Sequence, residues 1–201
     1  SFAAYEGALH AGTWPEAKVF RQDSEQGWVD CGQLGGEQEV MAMSVYNGKL
    51  YAGTLPLAEV YRYDGGTTWT RLRQLDTTPD VKYRRVWSMA VFQGKLFCGT
   101  LPSGRVFSLE AGKSVTYDVA LKSGWRHLVG VRRERRLELF VDGELVRWSS
   151  DVGAREWNIS NDVPLRIGKG PHADFKGQMR DVQLHQRALS ASDVAELFQA
   201  G

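Results

Sequence analysis

The sequence has little of what most site chemistries require. Two cysteines in 201 residues exclude a disulfide-dense scaffold and a four-cysteine zinc site. The four histidines, His10, His127, His172 and His185, show no zinc spacing, and no His-Glu-x-x-His motif occurs. No phosphate-cradling glycine loop and no defensible Ser–His–Asp or Cys–His arrangement is present. Charge of one sign is missing too. Lys and Arg number 25 against 24 Asp and Glu, a net charge of +1, which gives no long-range field for nucleic acid or an acidic membrane. Polar residues break every apolar run, so no segment reads as a bilayer-spanning helix. What is abundant is glycine and aromatics: 22 Gly, 7 Trp, 7 Tyr and 8 Phe, the mark of short strands joined by tight turns. With 42% hydrophobic and 24% charged residues, the composition is globular rather than disordered.

The N-terminal part is a repeat. Ala8–Thr13, Lys49–Thr54 and Lys95–Thr100 align without gaps, with Gly12, Gly53 and Gly99 spaced 41 and 46 residues apart. Upstream lie Tyr5-Glu6-Gly7, Tyr46-Asn47-Gly48 and Phe92-Gln93-Gly94. Downstream, Pro15, Pro56 and Pro102 match, then Val19-Phe20, Val60-Tyr61 and Val106-Phe107. Trp28, Trp69 and Val115 stand at a further common position. Each copy reads as alternating strands around hairpin signals such as Asn47-Gly48 and Asp64-Gly65-Gly66. Four short strands in about 40–45 residues is the period of a β-propeller blade.

Asp64-Gly65-Gly66-Thr67-Thr68-Trp69 resembles the Asp-box of sialidase-type propellers, Ser-x-Asp-x-Gly-x-Thr-Trp. The resemblance implies a structural role for Asp64, Gly66, Thr68 and Trp69. The Asp accepts turn N–H groups, the Gly permits positive φ, and the Trp covers the hairpin base. The first copy keeps Asp23 and Trp28; the third, Ser108–Val115, is degenerate.

From about residue 114 the repeat fades. Strands are expected over 126–132, 137–141 and 144–146, with Asp142-Gly143 as a hairpin turn, and again over 165–168 and 177–185. Ser190-Ala191-Ser192-Asp193 is a capping box ahead of a short amphipathic helix carrying Val194, Leu197 and Phe198. Gly124–Val129, Leu139–Gly143, Pro164–Gly168, Gly177–Val182 and Arg187–Ser190 together resemble the C-terminal half of a laminin-G-like, concanavalin-like jelly roll. That resemblance implies a two-sheet sandwich of a kind found in secreted proteins that bind or process glycans. The family's N-terminal strands, which supply part of a ligand or calcium rim, are absent.

The fold expected is therefore all-β. Three propeller-type four-stranded blades (about 1–34, 39–75 and 84–121) make up a partial propeller over residues 1–113. A partial jelly-roll sandwich with one short C-terminal helix follows over 114–201. About three blades and half a sandwich leave sheet edges uncovered, so further segments of a parent chain or partner copies are expected to complete the fold. Ser1 falls inside what aligns as an innermost strand, which points to truncation or processing.

Ligand-contact candidates are few. Tyr83, Arg84, Arg85 and Trp87 lie at the start of the third copy's innermost strand, which in a propeller faces the axis. Trp14 replaces Leu55 and Leu101 in a loop, where an exposed indole can stack on sugar rings, although a local contact with the neighbouring blade is the favoured reading. A sialidase-type hydrolase needs arginines on a carboxylate, a Tyr–Glu nucleophile pair and an acid/base; no such pair or second arginine set is assignable, so no catalytic residue is named. The run Arg132–Arg136 reads as a solvated hairpin tip. His10 fills an aromatic packing position and Cys98 a small buried one, and nothing in the sequence pairs Cys98 with Cys31. Asn158-Ile159-Ser160 is a formal glycosylation sequon, and Asn161, Asp162, His172 and Asp174 offer a polar rim or weak calcium site, with turn and cap roles favoured.

These readings converge on a non-catalytic carbohydrate-binding or adhesion segment of a secreted or cell-surface protein, with a glycan or glycoprotein as partner. A fragment of a sialidase-like glycoside hydrolase and a protein-interaction scaffold are the rivals.

Overall fold

The computed structural model describes residues 1–149, 162 and 164–201. It is all-β with antiparallel sheets and one short helix. Two compact units are present. The first comprises Ser1–Val91, Lys95–Leu109 and Arg166–Lys176; the second comprises Phe92–Gly94, Glu110–Leu165 and Gly177–Gly201.

The first unit is built from consecutive meanders. β1 (Phe2–Tyr5), β2 (Ala8–Gly12), β3 (Lys18–Asp23) and β4 (Gly27–Gln33) form one sheet in sequence order. β5 (Glu39–Tyr46), β6 (Lys49–Leu55), β7 (Glu59–Gly65) and β8 (Thr68–Gln74) form the next. β9 (Arg85–Phe92), β10 (Lys95–Leu101) and β11 (Val106–Leu109) form a third. Each copy opens with the same hairpin. Glu6-Gly7, Asn47-Gly48 and Gln93-Gly94 all have positive φ at both residues, the type I′ geometry whose twist matches the strands it joins. Between the first two sheets lies a core of Val19, Cys31, Leu34, Val40, Leu50 and Tyr61, among others.

The recurring Gly-Thr dipeptide shows why the copies stack. A methyl group on Gly12 would lie 2.6 Å from the Val40 Cβ, and one on Gly53 would lie 2.6 Å from the Val86 Cβ. Val40 and Val86 are equivalent residues at the start of the next copy's first strand. Each glycine is thus a hole for the following copy's valine knob. Its lack of a side chain, rather than its backbone freedom, is what the position needs.

The third copy departs from the four-stranded expectation. Residues 110–127 form no strand. Its turn, Ser108–Val115, has lost both the Asp and the Trp that return the chain along β7 in the second copy. Ser114 and Thr116 turn instead to the β9–β10 hairpin, where the Ser114 hydroxyl donates to the Gly94 carbonyl at 3.1 Å and the Gly94 N–H donates to Thr116 Oγ1 at 3.2 Å.

In the second unit, β12 (Leu128–Arg133), β13 (Arg136–Val141) and β14 (Glu144–Trp148) form an antiparallel sheet in sequence order. Phe140 and Val131 pack against Leu189 and Val194 of the C-terminal segment. The Asp142-Gly143 turn is held by its own carboxylate, which accepts from Arg126 Nη1 at 2.8 Å and the His127 N–H at 3.1 Å. α1 (Ala191–Ala200) has the expected capping box. The Asp193 N–H donates to Ser190 Oγ at 3.1 Å, and the Ser190 N–H donates to Asp193 Oδ2 at 2.7 Å. Arg133 is not part of a solvated tip: its Nη2 donates to the Leu189 carbonyl at 2.6 Å, tying β12 to the segment before the helix.

The strands expected over 165–168 and 177–185 do not form. Leu165, Ile167, Met179, Val182 and Leu184 are exposed there. A strand needs a paired neighbour and a face to bury, and no described strand lies alongside either segment. An isolated bridge between Lys169 and Asp174 closes one small loop.

Candidate binding edge at one end of the repeats

The loops that follow β2, β6 and β10 share one construction. The hydroxyls of Thr13, Thr54 and Thr100 donate to the carbonyls of Lys18, Glu59 and Arg105 at 2.9, 3.1 and 3.1 Å. Each therefore clamps a loop of four intervening residues. Within the loops, Ala17, Ala58 and Gly104 take the same left-handed turn, with φ of 45°, 56° and 64°. The Trp14–Pro15, Leu55–Pro56 and Leu101–Pro102 peptide bonds are all cis.

The start of the next copy's first strand lies against each of the first two loops. The Val40 N–H donates to the Thr13 carbonyl at 3.1 Å, and the Arg84 N–H donates to the Pro56 carbonyl at 2.8 Å. Buried carboxylates lock the joints. Glu37 Oε2 shares the Thr54 hydroxyl proton with the Glu59 carbonyl, lying 2.6 Å from the hydroxyl oxygen, and accepts from the Leu57 N–H at 3.1 Å. Asp76 Oδ2 accepts from the Ser103 N–H at 3.0 Å, while its Oδ1 takes the Thr78 N–H and hydroxyl at 2.9 and 2.6 Å. Leu57 and Ser103 are equivalent positions. Burial pushes the Glu37 carboxyl up, against its two donors, and its Oε1 is buried without a partner. Burial also opposes charge on Asp76, but its bonds from Thr78 and Ser103 outweigh that and hold the carboxyl well below the usual range.

Two of the sequence candidates therefore sit at the same end of successive copies. Trp14 belongs to the first loop and is 67% exposed. Tyr83, Arg84 and Arg85 run along the second loop, where Arg84 pairs in parallel with Leu57. The Arg85 guanidinium lies 5.8 Å from the Tyr83 ring centroid and Lys82 Nζ lies 5.0 Å from it. Arg84 is committed to structure, since its Nε donates to the Thr78 carbonyl at 2.7 Å. Trp87 is exposed two residues into β9. The edge thus presents an open indole, a phenol–guanidinium pair and the exposed Leu57 and Leu101.

Sequence reasoning missed Glu37 and Asp76. They lie in linkers of unequal length, so no repeat alignment brings them into register. The invariant Thr beside each marker glycine was visible, and its clamp role is the signal that pointed to this edge.

The residues that resemble an Asp-box, Asp64, Gly66, Thr68 and Trp69, lie in or beside the β7–β8 turn, and one expected contact differs. Asp64 accepts from side chains rather than from turn N–H groups: Arg62 Nε at 2.8 Å and the Thr70 hydroxyl. Asp23 does bind turn N–H groups, those of Glu25 and Gln26 at 3.0 and 3.1 Å. The Gly66 carbonyl accepts from the Tyr63 hydroxyl at 2.8 Å, and Thr68 pairs with Gly65 across the turn. Trp69 packs on Tyr63 at 4.9 Å and reaches the preceding copy, its Nε1 donating to the Cys31 carbonyl at 2.8 Å.

His10 is buried edge-on to Tyr5 and Tyr63, at 5.6 and 6.3 Å. Cys31 and Cys98 are free and buried, and burial pushes the Cys98 thiol up to about 11. Tyr61 and Glu59 make a Tyr–Glu contact of 2.5 Å, with Arg71 Nε also on Glu59 at 2.5 Å. Both Tyr61 and Glu59 are buried, closed to a substrate.

His172 and Asp174 lie in an exposed loop whose Pro171 and His172 carbonyls accept the Glu6 and Gly7 N–H groups at 2.7 and 2.8 Å. Asn158 and Asn161 lie outside the described residues. Among the described residues no group of three His, Cys, Asp or Glu is placed to hold a metal.

Residues 67–195 match the Laminin_G_3 family profile, described as the concanavalin A-like lectin/glucanases superfamily. The chain belongs to this superfamily. The match begins at the β7–β8 turn and runs through the sheet β12–β14 to the C-terminal helix of this superfamily member. A solved structure of an S-layer domain-containing protein (residues 221–444) from Clostridium thermocellum ATCC 27405 is 16% identical. The alignment covers 96% of this chain and 99% of that one, with a TM-score of 0.27. No curated protein matches the sequence.

Proposed function

We propose that this superfamily member is a non-catalytic carbohydrate-binding or adhesion segment of a secreted or cell-surface protein, its first 113 residues forming propeller-type blades and residues 114–201 a partial sandwich. The observation that carries the reading is Trp14, an indole held open on a clamped loop at the same end of the repeats as the Tyr83–Arg85 pair. Sugars are recognised by an aromatic face under the ring and by planar donors to hydroxyl or carboxylate groups. This edge supplies both. Membership in a lectin and glucanase superfamily favours a glycan over a peptide as the occupant. The buried state of Tyr61 and Glu59 favours binding over hydrolysis. Among the described residues no helix is long and apolar enough to cross a membrane.

The test is a glycan array probed with the whole chain and with Trp14→Ala and Arg85→Ala. The reading expects a defined set of glycans bound by the parent and lost or weakened about tenfold or more in each variant, the scale of about 1.4 kcal/mol. A blank array supports a protein scaffold instead, and turnover of a fluorogenic sialoside supports the hydrolase.

A further inference from the structure

Each clamp hydroxyl carries one proton, and at the joint between the first two copies that proton has two claimants. Thr13 and Thr100 donate to the carbonyls of Lys18 and Arg105. Thr54 holds the equivalent place, with the Glu59 carbonyl 3.1 Å away. Its hydroxyl oxygen also lies 2.6 Å from Glu37 Oε2 and accepts the Glu59 N–H at 3.3 Å. A hydroxyl donates once and accepts up to twice. With Glu37 ionised, Thr54 has one proton for two acceptor oxygens, and one close contact is left without a hydrogen. With Glu37 protonated on Oε2, every contact has its proton. The acid then donates to Thr54 Oγ1, and the Thr54 hydroxyl donates to the Glu59 carbonyl as its two equivalents donate to theirs.

Charge points the same way. Glu37 and Glu59 are both buried. The titratable groups that face Glu37 are Glu59 and Tyr61 on β7 and Arg71 on β8. The Arg71 Nε and the Tyr61 hydroxyl both donate to the Glu59 carboxylate, each at 2.5 Å. One cation thus serves two acids, and it is bonded to Glu59. Glu37 Oε1 is buried without a partner, which is far costlier for a carboxylate than for a neutral acid. Burial is the largest influence on the Glu37 carboxyl and pushes it up; the Glu59 charge adds to this, while the Thr54 and Leu57 contacts and Arg71 oppose it. The next joint is built the opposite way. Asp76 takes the Thr78 N–H and hydroxyl and the Ser103 N–H, and keeps its charge.

We propose that the native fold keeps Glu37 as a neutral acid after the exposed glutamates have ionised, and that its ionisation at higher pH loosens the joint between the first two copies. The unfolded chain releases this proton near the ordinary value of 4.5, and the native fold releases it later. Stability from the group is therefore present below the ordinary value and is lost as the pH rises through the native midpoint. Asp76 has the opposite sign. The loop that Glu37 holds carries Leu57, which pairs in parallel with Arg84 beside Tyr83 and Arg85, so the device acts on the candidate edge. The inference does not depend on what that edge binds.

Carbon-13 NMR of the whole chain tests the protonation, with the Glu37 carboxyl carbon assigned through its own backbone signals. At about pH 6, above the ordinary glutamate range, that carbon is expected at the neutral-acid position, while those of the exposed Glu16 and Glu25 have reached the carboxylate position. A Glu37 carbon that titrates together with Glu16 and Glu25 overturns the proposal. Hydrogen exchange tests the loosening. Relative to Glu37→Gln, whose side chain stays neutral, protection of the Val40 and Leu57 N–H groups is expected to fall about tenfold for each pH unit between the ordinary value and the native midpoint. The Ser103 N–H of the next joint shows no such fall. The same pH dependence in the two chains overturns the loosening. If Glu37→Gln does not fold, the fall is read in the parent against the Ser103 N–H, and its absence there overturns the loosening equally.

Discussion

At the residue scale, the marker glycines divide into two kinds that the sequence alignment makes identical. Gly12 and Gly53 are filled holes and Gly99 is an open one. Gly53→Ala forces its new methyl into Val86 and should cost about 1–3 kcal/mol, the usual penalty of overpacking. Gly99→Ala should leave the stability of the isolated chain within about 0.5 kcal/mol, the scale of a surface change. Urea unfolding of the two variants measures the contrast. His10 offers a second prediction. Burial, partly offset by a bond to the Ala8 carbonyl, holds its imidazole below the ordinary value of about 6.5. The folded state therefore binds this proton less readily than the unfolded chain. Stability from this group is present above that value and is lost as the pH falls through it. Replacing His10 with Phe, the residue at the equivalent position 97, should shrink the drop in thermal midpoint between about pH 7 and pH 5. The aromatic role of His10 was legible because Tyr51 and Phe97 align with it. Glu37 and Asp76 were not legible, since burial and hydrogen bonding set their roles and neither lies in a repeated position.

At the scale of elements, local chemistry was readable where it closes on itself. The type I′ hairpins, the Asp142-Gly143 turn and the Ser190 cap each follow from two to four neighbouring residues, and each is in place. Ser190→Ala should therefore destabilise α1 by about 1 kcal/mol. The loss shows in thermal unfolding of the second unit, because Val194 and Leu189 bring the helix into that unit's core. Elements that need a distant partner were not readable. The segments 165–168 and 177–185 carry strand-like sequence, but no described strand pairs with them. The third copy's fourth strand fails for a nearer reason, the loss of its Asp and Trp turn residues.

At the scale of the whole molecule, the all-β class and the superfamily membership follow the sequence pattern, and the repeat explains how the first unit builds its core. The candidate binding edge was half legible. Trp14 stood out as a departure from the repeat, and Tyr83–Arg85 as a cluster, but only the clamped loops show that both occupy the same end. Nitrogen-15 chemical-shift mapping during titration with an array-selected glycan tests the central claim most directly. If a glycan occupies this edge, the Trp14 indole signal and the backbone signals of residues 83–85 move, while the Trp69 indole, bonded to the Cys31 carbonyl, stays fixed. Shifts confined to residues 110–201, with Trp14 unmoved, would contradict it.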